Sequence, residues 1–427
     1  MRYAYSMLLY GLAPLVLLRL WLRSLRAPAY RDRIRERFGW VEPLAQEGCI
    51  WVHAVSVGEV QAASPLIRAL LERHPQRPLL VTTTTPTGAD QVRRLFGGQV
   101  RHGYLPYDLP DAVRRFLGRT RPALGLIMET EIWPNLFHAC AARGIPLMLV
   151  NARLSERSAR GYRRFRSLTR QTLGCLAGVA AQGQADARRL ADLGMDTGRI
   201  QVTGNTKFDV QILPSVREQG EVLRREWQLR PVWVAGSTHG GEEATVLEAH
   251  RRVLQLHPDA LLVVVPRHPE RFDEVATALE SDAWRFARRS AGERVLPETQ
   301  VYLADTMGEL PVFYAAASVA FVGGSLVPVG GHNPLEPAAL GMPVLMGPHH
   351  FNFAEVAALL RSAGGLEVVK DASALARAVA ALLSDPEGRH RRGERARQVV
   401  EENRGARERV LGLVEQALAG GLSAARR

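Results

Sequence analysis

The apolar positions of the chain fall into two kinds of pattern, and the first is confined to its start. From Tyr3 to Leu18 no residue is charged, and MLLYGLAPLVLLRLWL is dense in leucine. Counted through Leu22, this run approaches the ~20 residues that a membrane-crossing helix needs. Arg19 sits near its end, where a long side chain can reach headgroups, and Arg23, Arg26, Arg31, Arg33, Arg35 and Arg37 follow. Positive charge on that side holds the rest of the chain in the cytoplasm. Ala27-Pro28-Ala29 mimics a cleavage site, but arginines directly after the apolar run argue against export. Residues 1–26 are therefore expected to form an uncleaved membrane anchor, with a buried amphipathic helix as the alternative.

Beyond the anchor, short apolar runs alternate with helical patterns. CIWVHAVSV, PLLVTTTT, ALGLIMET and IPLMLVNA read as strands, with helix-like stretches such as SPLIRALLERH between them. After TGNTKFDVQILP, Thr203 to Pro214, the pattern restarts with PVWVAGS, ALLVVVPRH, VYLAD, VAFVGGS, PVLMG and LEVVK. Strand–helix alternation marks parallel sheets with helical crossovers. Two such α/β domains are expected, with ligands at the carboxyl ends of the strands. A length of 427 residues agrees with two domains. The arginine-rich stretch Gly388 to Arg427 either packs back across the seam or frays.

Charge narrows the partners. A net charge of +12 and a pI near 10.3 favour an acidic partner: nucleic acid, an anionic membrane face or a phosphorylated substrate. No zinc-finger spacing, RNA-binding aromatic signature or basic recognition helix supports nucleic acid. Cys49, Cys140 and Cys175 are odd in number and far apart, which suits reduced thiols. Arg153, Arg157, Arg160 and Arg164 fall on one face if NARLSERSARGYRRFRSLTR is helical; this is either a solvated face or a contact for anionic headgroups.

Candidate chemistry collects at predicted strand ends. GSTHGGEE places small residues before a helix, where backbone N–H groups can meet a phosphate, or where acidic residues simply complement the helix dipole. PRHPER puts Arg267 and His268 at the same edge. FVGGSLVPVGGHNPLEP supplies glycines and then Asn333-Pro334-Leu335-Glu336, which reads equally as a capping box or as a carboxylate for ribose hydroxyls. In METEIWPN, Glu129 and Glu131 are spaced to share a strand face. Gly58 in SVGEV offers a sharp strand-to-helix turn that delivers Glu59, with the helix dipole favouring its ionised form. The absence of GxxxxGK argues against ATP hydrolysis, and the absence of GxGxxG after the first strand argues against a dinucleotide oxidoreductase. No Asp-x-Asp occurs, so chemistry without a metal or other cofactor is expected.

Taken in order behind the apolar start, HAVSVGE, METEIWPN, GNTKFD, PRHPER, DTMGEL, FVGGS, GGHNPLEPA and GPHHFNF resemble the Kdo transferases of lipopolysaccharide assembly, over nearly the whole chain. The resemblance implies an α/β fold in the GT-B arrangement: an anchor at 1–26, an acceptor-binding Rossmann-like domain at 27–210, and a CMP-sugar donor-binding one with a C-terminal helix at 211–427. It implies metal-free, inverting transfer of 3-deoxy-D-manno-octulosonic acid (Kdo) from CMP-Kdo to the lipid A precursor, a tetraacyl disaccharide bisphosphate. It also implies attachment to the cytoplasmic side of the inner membrane, whose anionic surface suits the basic chain. Glu59 matches the family's general base, and Glu131 its second acidic motif residue, with Lys207 as a support. Gly236, Ser237, Thr238, Arg267, Gly308, Asn333 and Glu336 match its donor-binding positions, and His268 joins them as a candidate from its place beside Arg267. Thr206 stands in GNTKFD where the family often has an apolar residue. A glycosyltransferase for another lipid and a catalytically silent binding protein are the competing readings; the presence of Glu59 and Arg267 counts against the second.

Overall fold

The structure, a computed structural model, describes residues 1–421. The chain forms two compact units: Met1–Asp209 joined by the segment from Arg404 onward, and Val210–Asn403.

The first unit holds a parallel sheet of seven strands: β1 (Cys49–His53), β2 (Leu79–Thr83), β3 (Arg101–Tyr104), β4 (Pro122–Met128), β5 (Leu147–Ala152), β6 (Gly178–Ala181) and β7 (Ile200–Val202). Their order is β3-β2-β1-β4-β5-β6-β7, so the winding reverses between β1 and β4. Alternate residues of β1 serve opposite faces: Ile50 and Val52 pack under the helix Val57–Arg73, while Trp51 enters the core on the other side. A Cβ on Gly125 of β4 would lie 2.5 Å from Leu147 Cδ1 and 3.0 Å from the Trp51 ring, so only glycine leaves room for both side chains.

The second unit repeats the plan with β8 (Val232–Thr238), β9 (Leu261–Pro266), β10 (Phe286–Arg288), β11 (Val301–Leu303), β12 (Val319–Val322), β13 (Val344–Met346) and β14 (Leu366–Val368). The order is β10-β11-β9-β8-β12-β13-β14, again all parallel, with the reversal between β8 and β12. All ten strands expected from the apolar runs are present. The four without a sequence signal, β3, β6, β7 and β10, read RHGY, GVAA, IQV and FAR, too short or too polar to stand out.

One boundary differs from expectation. Residues 211–427 do not form a single domain, because the helix Ala406–Leu418 belongs to the first unit. Val410, Leu411 and Val414 are fully buried in the cluster that contains Ile50, Val52 and Leu66. Burying three such side chains contributes on the order of 5–9 kcal/mol before ordering costs, which fixes the helix on that sheet. Asp209 pins its start: Oδ1 accepts the Gly405 N–H at 2.7 Å and Oδ2 the Arg407 N–H at 2.6 Å. The remainder of the predicted stretch Gly388 to Arg427, after residue 421, lies outside the described residues.

The apolar start forms one helix, Arg2–Arg26, long and apolar enough to cross a membrane. Met7, Leu8, Leu15, Leu18, Trp21, Leu22 and Leu25 are exposed along it, which rules out the buried-helix alternative. Of the four arginines expected on one helical face, Arg153 precedes the helix Glu156–Arg163 and Arg164 caps it; Arg157 and Arg160 lie on it, and all four are exposed.

Candidate functional site

In the first unit the predicted residues gather where the winding reverses, the place where open α/β sheets bind ligands. Glu59 lies in the first turn of the helix after β1, half-buried, with Oε2 accepting the Val55 N–H at 2.8 Å. Burial pushes its carboxyl up to about 8; the Val55 bond opposes this, and the nearby carboxylates of Glu129 and Glu131 add to it. The helix dipole does not hold Glu59 ionised, contrary to expectation, because desolvation and like charge outweigh it. Nor does Gly58 supply a left-handed turn: it sits inside the helix, and its φ is not positive.

Glu129 and Glu131 follow β4 across the reversal. They do not share a strand face, because the strand ends at Met128 and Glu129 adopts φ 56°, the left-handed region unusual for a side-chain-bearing residue. Its N–H is held by the Val150 carbonyl at 3.0 Å. Burial also raises the Glu131 carboxyl; the Trp133 indole lowers it and Glu129 raises it. Two further residues complete the neighbourhood. His53, fully buried at the end of β1, contacts Thr82 Oγ1 through Nδ1 at 2.9 Å, and burial lowers it to about 4, so it is neutral. Asn151, at φ 53°, accepts the Thr206 N–H through Oδ1 at 3.1 Å.

The departure in GNTKFD leaves no side-chain hydroxyl unsatisfied. Thr206 is buried, and its hydroxyl donates to the Ala62 carbonyl at 3.4 Å, one turn beyond Glu59 on the helix Val57–Arg73. The polar atom is satisfied where an apolar residue would serve equally. Lys207 is next in the same turn, its N–H bonded to Asn205 Oδ1 at 3.0 Å.

In the second unit the motifs after β8, β9 and β12 are tied through their backbones. The Gly236 carbonyl accepts the Gly323 N–H at 2.8 Å, the Gly323 carbonyl accepts the His332 N–H at 3.1 Å, and the Thr238 carbonyl accepts the Arg267 N–H at 3.0 Å. Gly236 is glycine because a Cβ would lie 2.2 Å from the Tyr314 hydroxyl, a packing reason and not room for a ligand. Ser237 holds φ 57° beside it, and Thr238 is fully buried.

The glycine-rich loop is not an open anion cradle. Glu242, completely buried, accepts N–H groups from His239 at 3.0 Å and Gly324 at 2.6 Å on one oxygen, and from Ser325 at 2.9 Å and Leu326 at 2.8 Å on the other. An internal carboxylate occupies the donors that the sequence pattern offered to a phosphate.

What faces outward is a basic and imidazole-rich edge. Among the described residues the Arg267 guanidinium forms no ion pair, the neighbouring pairs being made by Arg271. Its charge reaches His332, His239 and Glu336. His239 and His332 stack at 5.0 Å with their Nε2 atoms 2.8 Å apart, and the exposed His268 ring stands edge-on to His239 at 5.2 Å. Burial, then Arg267 and the other imidazoles, lowers His332 to about 3. The capping box does not form either. The helix begins at Leu335, Asn333 Oδ1 accepts the Leu335 N–H at 3.1 Å, and Asn333 Nδ2 donates to Glu336 Oε1 at 3.2 Å. The half-buried Glu336 carboxyl is raised by burial and lowered by Asn333 and Arg267. Gly308, exposed at φ 88° with open space where a Cβ would point, completes the edge after β11.

Two seven-stranded parallel Rossmann-like sheets, with one N-terminal apolar helix, make an α/β fold of the GT-B type. Residues 244–399 match the glycosyl transferases group 1 family, and a glycosyltransferase from Rickettsia africae shares the fold at 13% identity, a TM-score of 0.52 and coverage of 87% of this chain and 99% of that one. Residues 32–210 match the family described as 3-deoxy-D-manno-octulosonic-acid transferase (kdotransferase). The 3-deoxy-D-manno-octulosonic acid transferases of Haemophilus influenzae and Bordetella pertussis are 44% and 41% identical, each over 98% of this chain and 99% of the relative. The chain belongs to the Kdo transferase family and is a Kdo-transferring glycosyltransferase.

Proposed function

We propose that the enzyme moves Kdo from CMP-Kdo to a hydroxyl of the lipid A precursor, with inversion and without a metal. The observation that carries this reading is Glu59: a carboxyl at the sheet reversal, pushed up to about 8 by burial and flanked by Glu129 and Glu131. A base is most effective when its pKa lies near the working pH. Glu59 accepts the acceptor's hydroxyl proton as that oxygen bonds to the anomeric carbon. The bond from that carbon to the phosphate oxygen breaks on the opposite face, and CMP departs with the electron pair. One displacement needs one base and gives inversion.

The donor contacts fall to the second unit. Arg267 and His268 offer charge and hydrogen bonds to phosphate, Asn333 and Glu336 to ribose hydroxyls, and the Gly308, Ser237 and Thr238 segments to the nucleotide by backbone approach. Gly236 contributes by shaping its strand against Tyr314. Lys207 and Glu131 position the acceptor. Arginine in place of a metal as counter-charge fits a chain without Asp-x-Asp. The Arg2–Arg26 helix attaches the enzyme to the cytoplasmic face of the inner membrane, and Arg153, Arg157, Arg160 and Arg164 add attraction to anionic lipid.

The test is direct: incubate purified enzyme with CMP-Kdo and lipid A precursor and weigh the products. A mass increase of one or more Kdo residues that disappears in Glu59→Gln supports the reading; acceptor left unchanged by folded enzyme with intact CMP-Kdo overturns it.

A further inference from the structure

The first helix is fastened to the globular unit at both ends. Near its start, the Ser6 hydroxyl bonds Asn135 Oδ1 at 3.0 Å in a buried contact, and the Tyr10 hydroxyl donates to Asp111 Oδ1 at 2.6 Å. Tyr5 adds a hydrogen bond to Asp108, whose carboxylate also receives the Asn135 and Leu136 N–H groups at 2.9 and 2.8 Å. At the other end, Arg31 Nε donates to Ser24 Oγ at 2.7 Å. The chain then returns to the sheet edge, where Arg33 Nη2 donates to the His102 carbonyl at 2.7 Å and Glu36 accepts the Tyr104 N–H at 2.9 Å.

These contacts conflict with a crossing helix. All 25 residues, at about 1.5 Å each, would reach across a hydrocarbon core of about 30 Å. Crossing, however, would put Tyr5, Ser6 and Tyr10 on the far side from Asp108, Asn135 and Asp111. With those contacts kept, only Gly11 to Leu25 remains, about 22 Å, and Arg19 and Arg23 lie within it.

We propose that this helix lies in the plane of the interface, both ends on the side of the globular units, and seats the enzyme on an acidic lipid bilayer without crossing it. The inference rests on the membrane attachment proposed above. The chemistry suits an interfacial helix: exposed Leu12, Leu15, Leu18, Trp21, Leu22 and Leu25 provide apolar area, Arg2, Arg19 and Arg23 provide charge, and no acidic residue precedes Asp32.

The test uses the full chain with a cysteine at the exposed position Tyr3 (Tyr3→Cys, with Ala4→Cys as a second variant), expressed in bacterial cells. The native cysteines are buried. A membrane-impermeant maleimide is applied to spheroplasts before or after lysis, with Gln76→Cys on the globular unit as the reference. Retained transferase activity shows that each variant folds. In-plane seating gives membrane-fraction protein labelled at Tyr3→Cys only after lysis, as at Gln76→Cys. Labelling of Tyr3→Cys in intact spheroplasts overturns the in-plane seating and leaves membrane attachment standing. Recovery of the protein in the soluble fraction overturns the attachment itself, and this inference with it.

Discussion

Glu59 folds back on its own connection: its Oε2 sits 2.8 Å from the Val55 backbone nitrogen, four residues earlier. The bond orients the carboxyl while leaving its other oxygen to take a proton. Glu59→Gln preserves the shape and removes the base, so it should fold, bind CMP-Kdo and lose activity by on the order of 10²–10⁴-fold. The base works only when ionised, so kcat/KM should rise with pH up to a plateau above about 8, the value to which burial pushes this carboxyl. Near-normal turnover in Glu59→Gln would move the role to Glu131.

The same carboxyl makes a separate prediction about stability. Its pKa is raised from 4.5 to about 8 on folding, so the fold prefers the protonated form. Its contribution is fully present below 4.5 and is lost as the pH climbs towards 8. Glutamine never ionises. The Tm of Glu59→Gln relative to the parent should therefore increase across that window, and calorimetric melting at several pH values would show a flat difference if the carboxyl were solvated.

Arg267 has no ion-pair partner among the described residues, so its removal should leave melting almost unchanged. If its guanidinium meets the donor phosphate, Arg267→Ala should weaken CMP binding by about 1.5–3 kcal/mol, or about 10- to 150-fold. Titration calorimetry with CMP measures this, and an unchanged Kd would remove Arg267 from the donor site.

Glu336→Gln separates two roles for one side chain. No cap is lost, because Glu336 bonds the Asn333 side chain and not a helix-end N–H. CMP affinity should fall with the Tm held. A lowered Tm with unchanged affinity would instead assign Glu336 to the fold.

Glu242 should behave in the opposite way. Four backbone N–H groups converge on its buried carboxylate. Glutamine offers one acceptor oxygen and turns an NH₂ towards the remaining donors. Glu242→Gln should cost about 3 kcal/mol or more, seen as a lower denaturant midpoint. Wild-type stability would show that the loop can find water in its place.

How far these features could be read in advance depends on what each one rests on. Apolar runs such as CIWVH and LLVVVP show themselves because strands buried on both faces need continuous hydrophobicity. RHGY and IQV do not, since edge strands need less of it. The helix Ala406–Leu418 has a clear apolar stripe, but a stripe does not name the sheet it covers. GSTHGGEE and FVGGS were legible as glycine-rich turns; that the carboxylate of one fills the N–H groups of the other is a tertiary fact between residues 82 positions apart. The same holds for Glu59. Its place after β1 is written in the sequence, whereas the burial that raises its pKa, and the like charges of Glu129 and Glu131 that arrive from β4 and add to it, are set by the fold. His239 and His332, paired across two motifs, had no local signal beyond their presence in them.

The Asp209 carboxylate, gripping the N–H groups of Gly405 and Arg407, brings the point where the chain leaves the first unit next to the point where it comes back. The second unit is thus an insert between two adjacent chain ends. A few flexible residues joining Asp209 to Arg404 would close the first unit over the gap, and Val210–Asn403 could be lifted out as a cassette. If the donor contacts proposed for Arg267, Asn333 and Glu336 hold, such a transplant between relatives would exchange donor specificity while the last helix and the first helix stay in place.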